Sequence, residues 1–158
     1  MKKAIIYYSL SGNTEKAAKD MASLIGADLI KVDFVKPMPK SKGAQILKGG
    51  MQTSFGMKPA ITGLTDTSKY DELILGAPIW AGKCASPINT ILATNGIADK
   101  ITSVFTFSGG GDNDKCIANL NKRLPNLKHN VALADKSNEL SKDNDSKIKA
   151  FADQISNG

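Results

Sequence analysis

Five short apolar runs alternate with amphipathic helical patterns along the 158-residue chain. Most of the runs are rich in Ile, Val, Leu or Phe, and the clearest are apolar almost throughout, which is typical of parallel strands buried on both faces. The alternation of strand and helix predicts right-handed crossovers and a doubly wound α/β sheet. The predicted strands are Ala4–Tyr8, Leu29–Val32, Leu73–Ala77, Val104–Phe107 and Val131–Ala134.

The helical patterns between these runs begin or end at residues that are preferred at helix ends. Each pattern carries an apolar face at helical spacing, as expected for helices that pack on a sheet. The sequence predicts a first helix over Ala17–Ile25 that ends at Gly26, a second that starts at Ser86–Pro87, a third that starts at Asn113 or Asp114 and stops by Pro125, and a last one that holds Ile148 and Ile155.

Residues 34–70 do not follow this alternation. They contain three prolines and five glycines, and a short helix is predicted only near Ala44–Gly49, with irregular backbone on both sides. A connection of this length in a compact domain is often a binding or lid segment. Six lysines lie between Lys31 and Lys58 against one acid, Asp33. A solvated surface is the commoner reason for such a cluster, and a positive field that attracts an anionic substrate or partner is the alternative.

Size and composition predict a single domain over residues 1–158, without metal, membrane or nucleic-acid chemistry. The chain is 41% apolar and 23% charged, and no apolar run has the length of a signal-peptide core or a membrane span. Its two cysteines lack metal-ligand spacing. The net charge of +6 comes without a nucleic-acid motif and with few aromatic residues. We therefore expect a cytoplasmic protein, whose oligomeric state the sequence leaves open.

In open α/β sheets, ligands bind beyond the carboxyl ends of the strands, where the strand order reverses. The loop Ser9-Leu10-Ser11-Gly12-Asn13-Thr14 follows the first strand directly and leads into the first helix. Such a turn aims unpaired backbone N–H groups and the positive helix end at one point. The loop has three hydroxyls, one amide and one glycine, without Lys or Arg. It predicts either a site for a terminal phosphate monoester or a cluster of helix caps.

Two further loops at the same edge have unusual compositions. The segment Gly76–Pro87 contains the only tryptophan, Trp80, which can stack on a planar ligand or pack into a neighbouring loop. Its stretch Ala77–Lys83 has the spacing of a nucleotide P-loop, but Cys84 stands where Ser or Thr should hold magnesium, so we exclude that interpretation. The segment Ser108–Asp114 includes three consecutive glycines, which favour main chain lying against a flat ligand or a flexible turn.

Together these loops resemble those of flavodoxins. Ser9–Thr14 is similar to the phosphate-binding signature of that family, and Gly76–Gly82 and Ser108–Gly111 resemble the two flavin-facing loops of its short members. The resemblance covers essentially the whole chain. It implies a flavodoxin-like α/β fold, in which a five-stranded parallel sheet of order 2-1-3-4-5 has helices on both faces, and a non-covalently bound FMN at the switch point.

The same resemblance implies the residues that hold FMN. No catalytic side chain is implied, because the flavin itself carries the redox chemistry. In the family a peptide near the flavin N5 reorients on reduction, and Gly82 is its candidate here. The implied contacts are Ser9, Leu10, Ser11, Gly12, Asn13 and Thr14 for the phosphate, Pro78, Ile79, Trp80, Ala81 and Gly82 for the isoalloxazine ring, Ser108, Gly109, Gly110 and Gly111 for its pyrimidine end, and Asp114 for a ring or ribitol group.

The resemblance implies an electron-transfer protein that cycles FMN with a redox partner protein. The alternative is an NAD(P)H-dependent FMN or quinone reductase whose flavin face is open to substrate. Two departures from the usual flavodoxin pattern support the alternative: a basic sequence pI of about 9.3, and glycines at 109–111 where many flavodoxins place an aromatic residue. The carrier is favoured because chain length and loop pattern match short flavodoxins. Cys84 and Cys116 lie in or just beyond the flavin loops and are expected to be ordinary thiols.

Overall fold

The central sheet consists of five parallel strands in the computed structural model, which describes residues 1–158. In chain order the strands are β1 (Lys3–Tyr7), β2 (Asp28–Lys31), β3 (Asp33–Phe34), β4 (Ile61–Thr62), β5 (Glu72–Trp80), β6 (Lys83–Cys84), β7 (Ile101–Ser108) and β8 (His129–Ala134). The parallel neighbours follow the order β2-β1-β5-β7-β8. This arrangement confirms the flavodoxin-like strand order expected from the sequence.

Helices cover both faces of this sheet, as predicted. On one face, α1 and α5 pack over Ile5 and Phe105, and on the other face α3 and α4 pack over Leu75 and Val104. No helix has the length and apolarity needed to cross a membrane. The helices are α1 (Asn13–Ile25), α2 (Lys42–Ser54), α3 (Pro87–Ala93), α4 (Asp114–Asn121) and α5 (Asn144–Asn157), with short 3-10 turns at Ala98–Lys100 and Glu139–Asp143.

The strand β5 continues past its predicted end at Ala77. Pro78–Trp80, expected to be loop, extend the strand because Pro78 pairs with β7, and Ile79 and Trp80 pair with β6. Only Ala81 and Gly82 form the turn into β6, with φ angles of 48° and 75°. Positive φ at both central residues is the conformation that a tight two-residue hairpin requires.

The helix ends agree with the sequence in position more than in capping chemistry. Gly26 ends α1 in the left-handed conformation, with φ 65°, as predicted. α3 follows Ser86, but the Ser86 hydroxyl donates to Gln52 Oε1 at 3.0 Å instead of capping the helix. Asn113 precedes α4 without a side-chain cap, and Asp112 Oδ1 accepts the first helical N–H at 3.0 Å. Ser86 therefore bonds to another element instead of capping α3, and Asp112 takes the capping position expected for Asn113.

The segment 34–70 is more regular than its composition indicates. α2 extends well beyond the predicted helix at Ala44–Gly49, and the Ser41 hydroxyl caps it by accepting from the Ala44 N–H at 3.3 Å. β3 and β4 form an antiparallel ribbon in which Phe34 pairs with Ile61. This ribbon was not predicted, because strands of two residues have no periodic pattern. The segment brings α2 against the end of β5.

Gly49 allows the close approach of α2 to β5. A Cβ at this position would lie 3.0 Å from Cε3 of Trp80, closer than nearly all real contacts of this kind. Gly50, the next residue of the same helix, has no neighbouring atom within 4 Å of an added Cβ. Packing against Trp80 therefore disfavours a side chain at Gly49, whereas no neighbouring atom disfavours one at Gly50.

This contrast predicts opposite effects of two alanine substitutions. Gly50→Ala should raise the free energy of unfolding by about 0.5–1 kcal/mol, because alanine is the better helix former and its methyl group meets open space. Gly49→Ala should lose that gain, because its methyl group presses on the Trp80 ring. Urea unfolding followed by circular dichroism measures both. An equal gain from the two variants would contradict the packing of α2 on Trp80.

Candidate functional site

Two adjoining cavities open at the carboxyl edge of the sheet, where the strand order reverses between β1 and β5. The first has a volume of about 210 Å³ and the second about 580 Å³. Four residues line both, so the cavities form one cleft, which we call the edge cleft: Leu10, Ile79, Trp80 and Asp135.

The loop after β1 presents an uncapped helix to the first cavity. Gly12, with φ 94°, occupies the position before α1, and no side chain caps the helix. The Ser9 hydroxyl accepts the Gly12 N–H at 3.1 Å, so it holds the turn rather than the helix end. The sequence allowed two interpretations of this loop, a phosphate site or a cluster of helix caps. The second is wrong, because no side chain caps α1. The first N–H groups of α1 have no side-chain cap and can receive an anion.

The loop also supplies the donors that such an anion needs. Ser11, Asn13 and Thr14 line the first cavity, and Thr14 is 2% exposed. Lys16, the cation nearest to this loop in the sequence, forms an ion pair with Asp20 at 2.7 Å. Hydroxyl and backbone N–H donors without a cationic side chain suit a phosphate monoester held by hydrogen bonds.

The loop after β8 contributes an acidic residue that the sequence analysis missed. Asn13 Nδ2 donates to Asp135 Oδ1 at 2.8 Å, and the Asp135 N–H donates to the Ser108 carbonyl at 2.9 Å. Asp135 therefore ties the start of α1 to the end of β7, and it lines both cavities. Its place directly after the last strand, at the same carboxyl edge, is the signal that could have identified it.

Trp80 is packed between protein groups at the wall of the cleft. Its ring lies nearly parallel to Phe34, with centroids 6.5 Å apart, and meets the edge of Tyr8 at 5.7 Å. Gly49 of α2 approaches the same ring. Of the two roles considered for Trp80, the structure shows packing into neighbouring segments, and the side chain still lines both cavities.

The glycine loop after β7 forms a hydrogen-bonded turn. The Ser108 hydroxyl accepts the Asp112 N–H at 3.1 Å, and Asn138 Nδ2 donates to the Gly109 carbonyl at 3.0 Å. Gly111 has φ 71° and packs closely on Ala134, where a Cβ would lie 3.1 Å from the alanine methyl group. These contacts hold the backbone of Ser108 and Gly109 at the wall of the first cavity.

The structure brings most of the residues implied for FMN to one place. The first cavity is lined by Leu10, Ser11, Asn13, Thr14, Pro78, Ile79, Trp80, Ser108 and Gly109, and the second adds Ala81. Ser9 and Gly12 shape the turn behind them. Like Ser9 and Gly12, four further residues do not line the cleft, namely Gly82, Gly110, Gly111 and Asp114. Gly82 lies beside the Lys115 side chain instead.

One face of α2 forms the wall of the second cavity. Its residues there were not predicted as site residues, although segment 34–70 was expected to be a binding or lid segment. A helix prediction that reached Lys42 would have placed them on one surface. They are Lys42, Gln45, Ile46, Gly49 and Gly50.

Cys84 and Cys116 connect the two loops behind the cleft. Their Sγ atoms are 2.8 Å apart, and both side chains are buried and free. The hydrogen bond with Cys116 and burial raise the pKa of the Cys84 thiol, and the same hydrogen bond lowers the pKa of Cys116. The pair joins the β6 hairpin to α4, so it braces the loops that follow β5 and β7.

The comparison with known protein families identifies the family of this chain. The family model described as Flavodoxin matches residues 2–144. The chain belongs to the flavodoxin family. No match to the curated proteins reaches significance. The family assignment agrees with the strand order and with the position of the edge cleft.

Solved structures share this flavodoxin fold over nearly the whole chain. A Bacteroides eggerthii protein matches with a TM-score of 0.76 at 23% identity, covering 96% of this chain and 98% of that one. A flavoprotein from Lactobacillus acidophilus, crystallised in complex with FMN, matches with a TM-score of 0.68 at 26% identity, covering 92% and 97%. A WrbA-like flavodoxin from Agrobacterium tumefaciens matches with a TM-score of 0.57 at 16% identity, covering 97% and 96%, and shows the fold alone.

Proposed function

We propose that this flavodoxin binds FMN non-covalently in the edge cleft and carries electrons between protein partners. The observation that carries the proposal is the uncapped start of α1, which opens onto a hydroxyl-lined cavity at the switch point of the sheet. The FMN complex of the Lactobacillus acidophilus relative supports the choice of cofactor. FMN supplies the redox chemistry when bound, and the chain binds and orients it.

In this proposal the phosphate lies at the loop after β1. The hydroxyls of Ser11 and Thr14 and the first N–H groups of α1 would donate hydrogen bonds to its oxygens. Asn13 would add the one side-chain N–H that Asp135 leaves free. Hydrogen bonds to a charged group contribute about 1.5–3 kcal/mol each. Several of them converging at a helix start hold the anion without a cationic side chain.

Residues of β5 and of the loop after β7 would hold the flavin ring. Ile79 and the packed Trp80 offer an apolar wall, and Ser108 and Gly109 line the same cavity. The bracing of both loops by the Cys84–Cys116 contact keeps these walls in place. Preformed walls reduce the ordering that binding would otherwise require.

Asp135 places a negative charge next to the same cleft. Its carboxylate lies 2.8 Å from the Asn13 amide and lines both cavities. This hydrogen bond fixes the orientation of the Asn13 side-chain amide. In our proposal Asp135 therefore positions Asn13 at the phosphate site.

A second candidate function is an NAD(P)H-dependent FMN or quinone reductase. The observation that favours it is the second cavity of about 580 Å³, which lies beside the first and is bordered by Lys42 and Gln45. A flat substrate could enter there, and Lys42 offers a cation for an anionic group. The carrier remains the proposed function, because the chain length and the loop pattern resemble those of short flavodoxins.

Removing hydroxyls from the phosphate site tests the first part of the proposal. The double variant Ser11→Ala/Thr14→Ala should weaken FMN binding by about 100-fold or more, since two hydrogen bonds to a charged phosphate are lost. Titration of the apo protein with FMN, followed by flavin fluorescence or by quenching of Trp80, measures the Kd. Ser23→Ala/Ser156→Ala, on the far part of α1 and at the end of α5, is the matched control and should bind normally. Equal Kd values for both double variants would refute the assigned phosphate site.

Mixing with NADPH separates carrier from reductase. The holo protein, held without oxygen, should keep the visible absorption of oxidised flavin for many minutes after addition of NADPH, because a carrier accepts electrons from a protein partner. Stopped-flow spectrophotometry gives the rate, and dithionite reduction of the same sample shows that the flavin is reducible. Rapid bleaching by NADPH would assign the second cavity to a reductase substrate instead.

A further inference from the structure

The outward face of α2 carries large apolar side chains, while the residues on its inward face are small. Leu47, Met51 and Phe55 recur every four residues, so they form one stripe along the helix. Gly49 and Thr53, on the inward side, are buried. This is the reverse of the usual amphipathic arrangement, in which large apolar residues face the core. The exposed fractions are 75% for Ile46, 67% for Leu47, 53% for Met51, 78% for Phe55 and 48% for Met57.

Leu47, Met51 and Met57 line one groove, Phe55 lies one helical turn beyond Met51, and Ile46 adjoins Leu47 in the helix. We call this surface the α2 patch. Its members are Ile46, Leu47, Met51, Phe55 and Met57. An apolar groove of about 390 Å³ runs along it between Pro39 and Met57. Single exposed apolar residues are ordinary, but a contiguous apolar surface on a water-facing helix marks an interaction site.

The rim of the α2 patch is positively charged. Lys48 lines the groove, and Lys40 and Lys58 directly follow its end residues Pro39 and Met57 in the chain. No Asp or Glu occurs in residues 34–65. None of these lysines takes part in an ion pair, whereas Lys16, Lys19 and Lys31 on the neighbouring surface do. The rim charge is therefore free to act on a partner. The rim consists of Lys40, Lys42, Lys48 and Lys58.

The α2 patch is continuous with the edge cleft. Ile46 belongs to the patch and also lines the second cavity, and Gly49 on the same helix touches Trp80. A molecule seated on the patch therefore lies beside the site proposed for the flavin ring. Electron transfer between proteins requires such proximity, because its rate falls steeply with the distance between the two centres.

We propose that the α2 patch docks an acidic one-electron carrier protein that has an apolar contact surface. The inference rests on the proposed function, since it assigns the partner of the same cleft. In the transfer, one electron leaves the reduced partner, which is oxidised, and enters the flavin, which is reduced. The carboxylates of the partner face the lysine rim, and its apolar residues enter the groove between Pro39 and Met57.

Charge and shape favour this occupant over two others. A second copy of the chain would bring two lysine rims together without a single carboxylate from residues 34–65, and like charges at an interface oppose association. A flat anionic membrane would meet the lysines, but the groove offers a concave apolar surface of the kind that receives protein side chains.

Charge reversal on the rim tests the proposal. The probe is a reduced plant-type [2Fe–2S] ferredoxin, an acidic one-electron protein, mixed without oxygen with the holo protein in a stopped-flow instrument. The second-order rate of flavin reduction should fall as salt rises, and Lys40→Glu/Lys58→Glu should lower it about tenfold or more at low ionic strength. Lys128→Glu/Lys149→Glu, at the start of β8 and on α5, changes the net charge equally and should lower it far less.

Apolar truncation tests the other half of the surface. Leu47→Ser/Phe55→Ser should also slow reduction by ferredoxin but leave the salt dependence in place, because the lysine rim is intact. Both side chains are mostly exposed, so the fold should tolerate the change. The Kd for FMN and complete reduction by dithionite are measured for every variant, since none of these residues lines the edge cleft.

The outcomes that overturn the docking proposal are distinct from failure of the proposed function. If the wild type fails to bind FMN, the proposed function and this inference both fail. If it binds FMN but ferredoxin does not reduce it, or rim and control variants react equally, only the docking inference fails. Dimerisation in sedimentation runs that Leu47→Ser/Phe55→Ser abolishes would assign the patch to a second copy. Patch-dependent binding to phosphatidylglycerol vesicles would assign it to a membrane.

Discussion

The parallel pairing of β1 with β5 is the constraint on which the rest of the structure depends. Gly76 lies opposite Tyr7 in this ladder, and a Cβ on Gly76 would overlap the Phe105 ring of the next strand. The Tyr8 N–H donates to the Gly76 carbonyl at 3.1 Å and extends the pairing to the first site loop. Because the chain leaves β1 for β2 on one side and returns to β5 on the other, the loops after β1 and β5 open on one crevice.

The helix α2 forms the other part of the crevice wall, and its packing on Trp80 holds it there. Gly49 allows the helix backbone to lie against the indole, while Phe34 of the β3–β4 ribbon stacks alongside. The face of α2 in this contact buries Gly49 and Thr53, so the large apolar residues of the helix lie outward. The wall of the second cavity and the exposed α2 patch are therefore two consequences of one packing arrangement.

The features that followed from the sequence are those with a repeating physical signal. Buried strands and the glycine end of α1 were predicted correctly, because burial on both faces and a left-handed helix end restrict residue types strongly. Asp135 and the α2 wall were missed, because a lone acid after a strand and a helix with its apolar side outward have no such signal. The extension of β5 through Pro78–Trp80 also escaped prediction, since it depends on pairing with partners distant in the chain.

The central claim is that the uncapped start of α1 and the hydroxyls beside it hold a phosphate. The most direct measurement compares FMN with riboflavin, which has the same ring and no phosphate, by calorimetric titration of the apo wild-type protein. FMN should bind about 100-fold more tightly than riboflavin, or better, since several hydrogen bonds to a charged group depend on the phosphate. Equal affinities for FMN and riboflavin would contradict the claim.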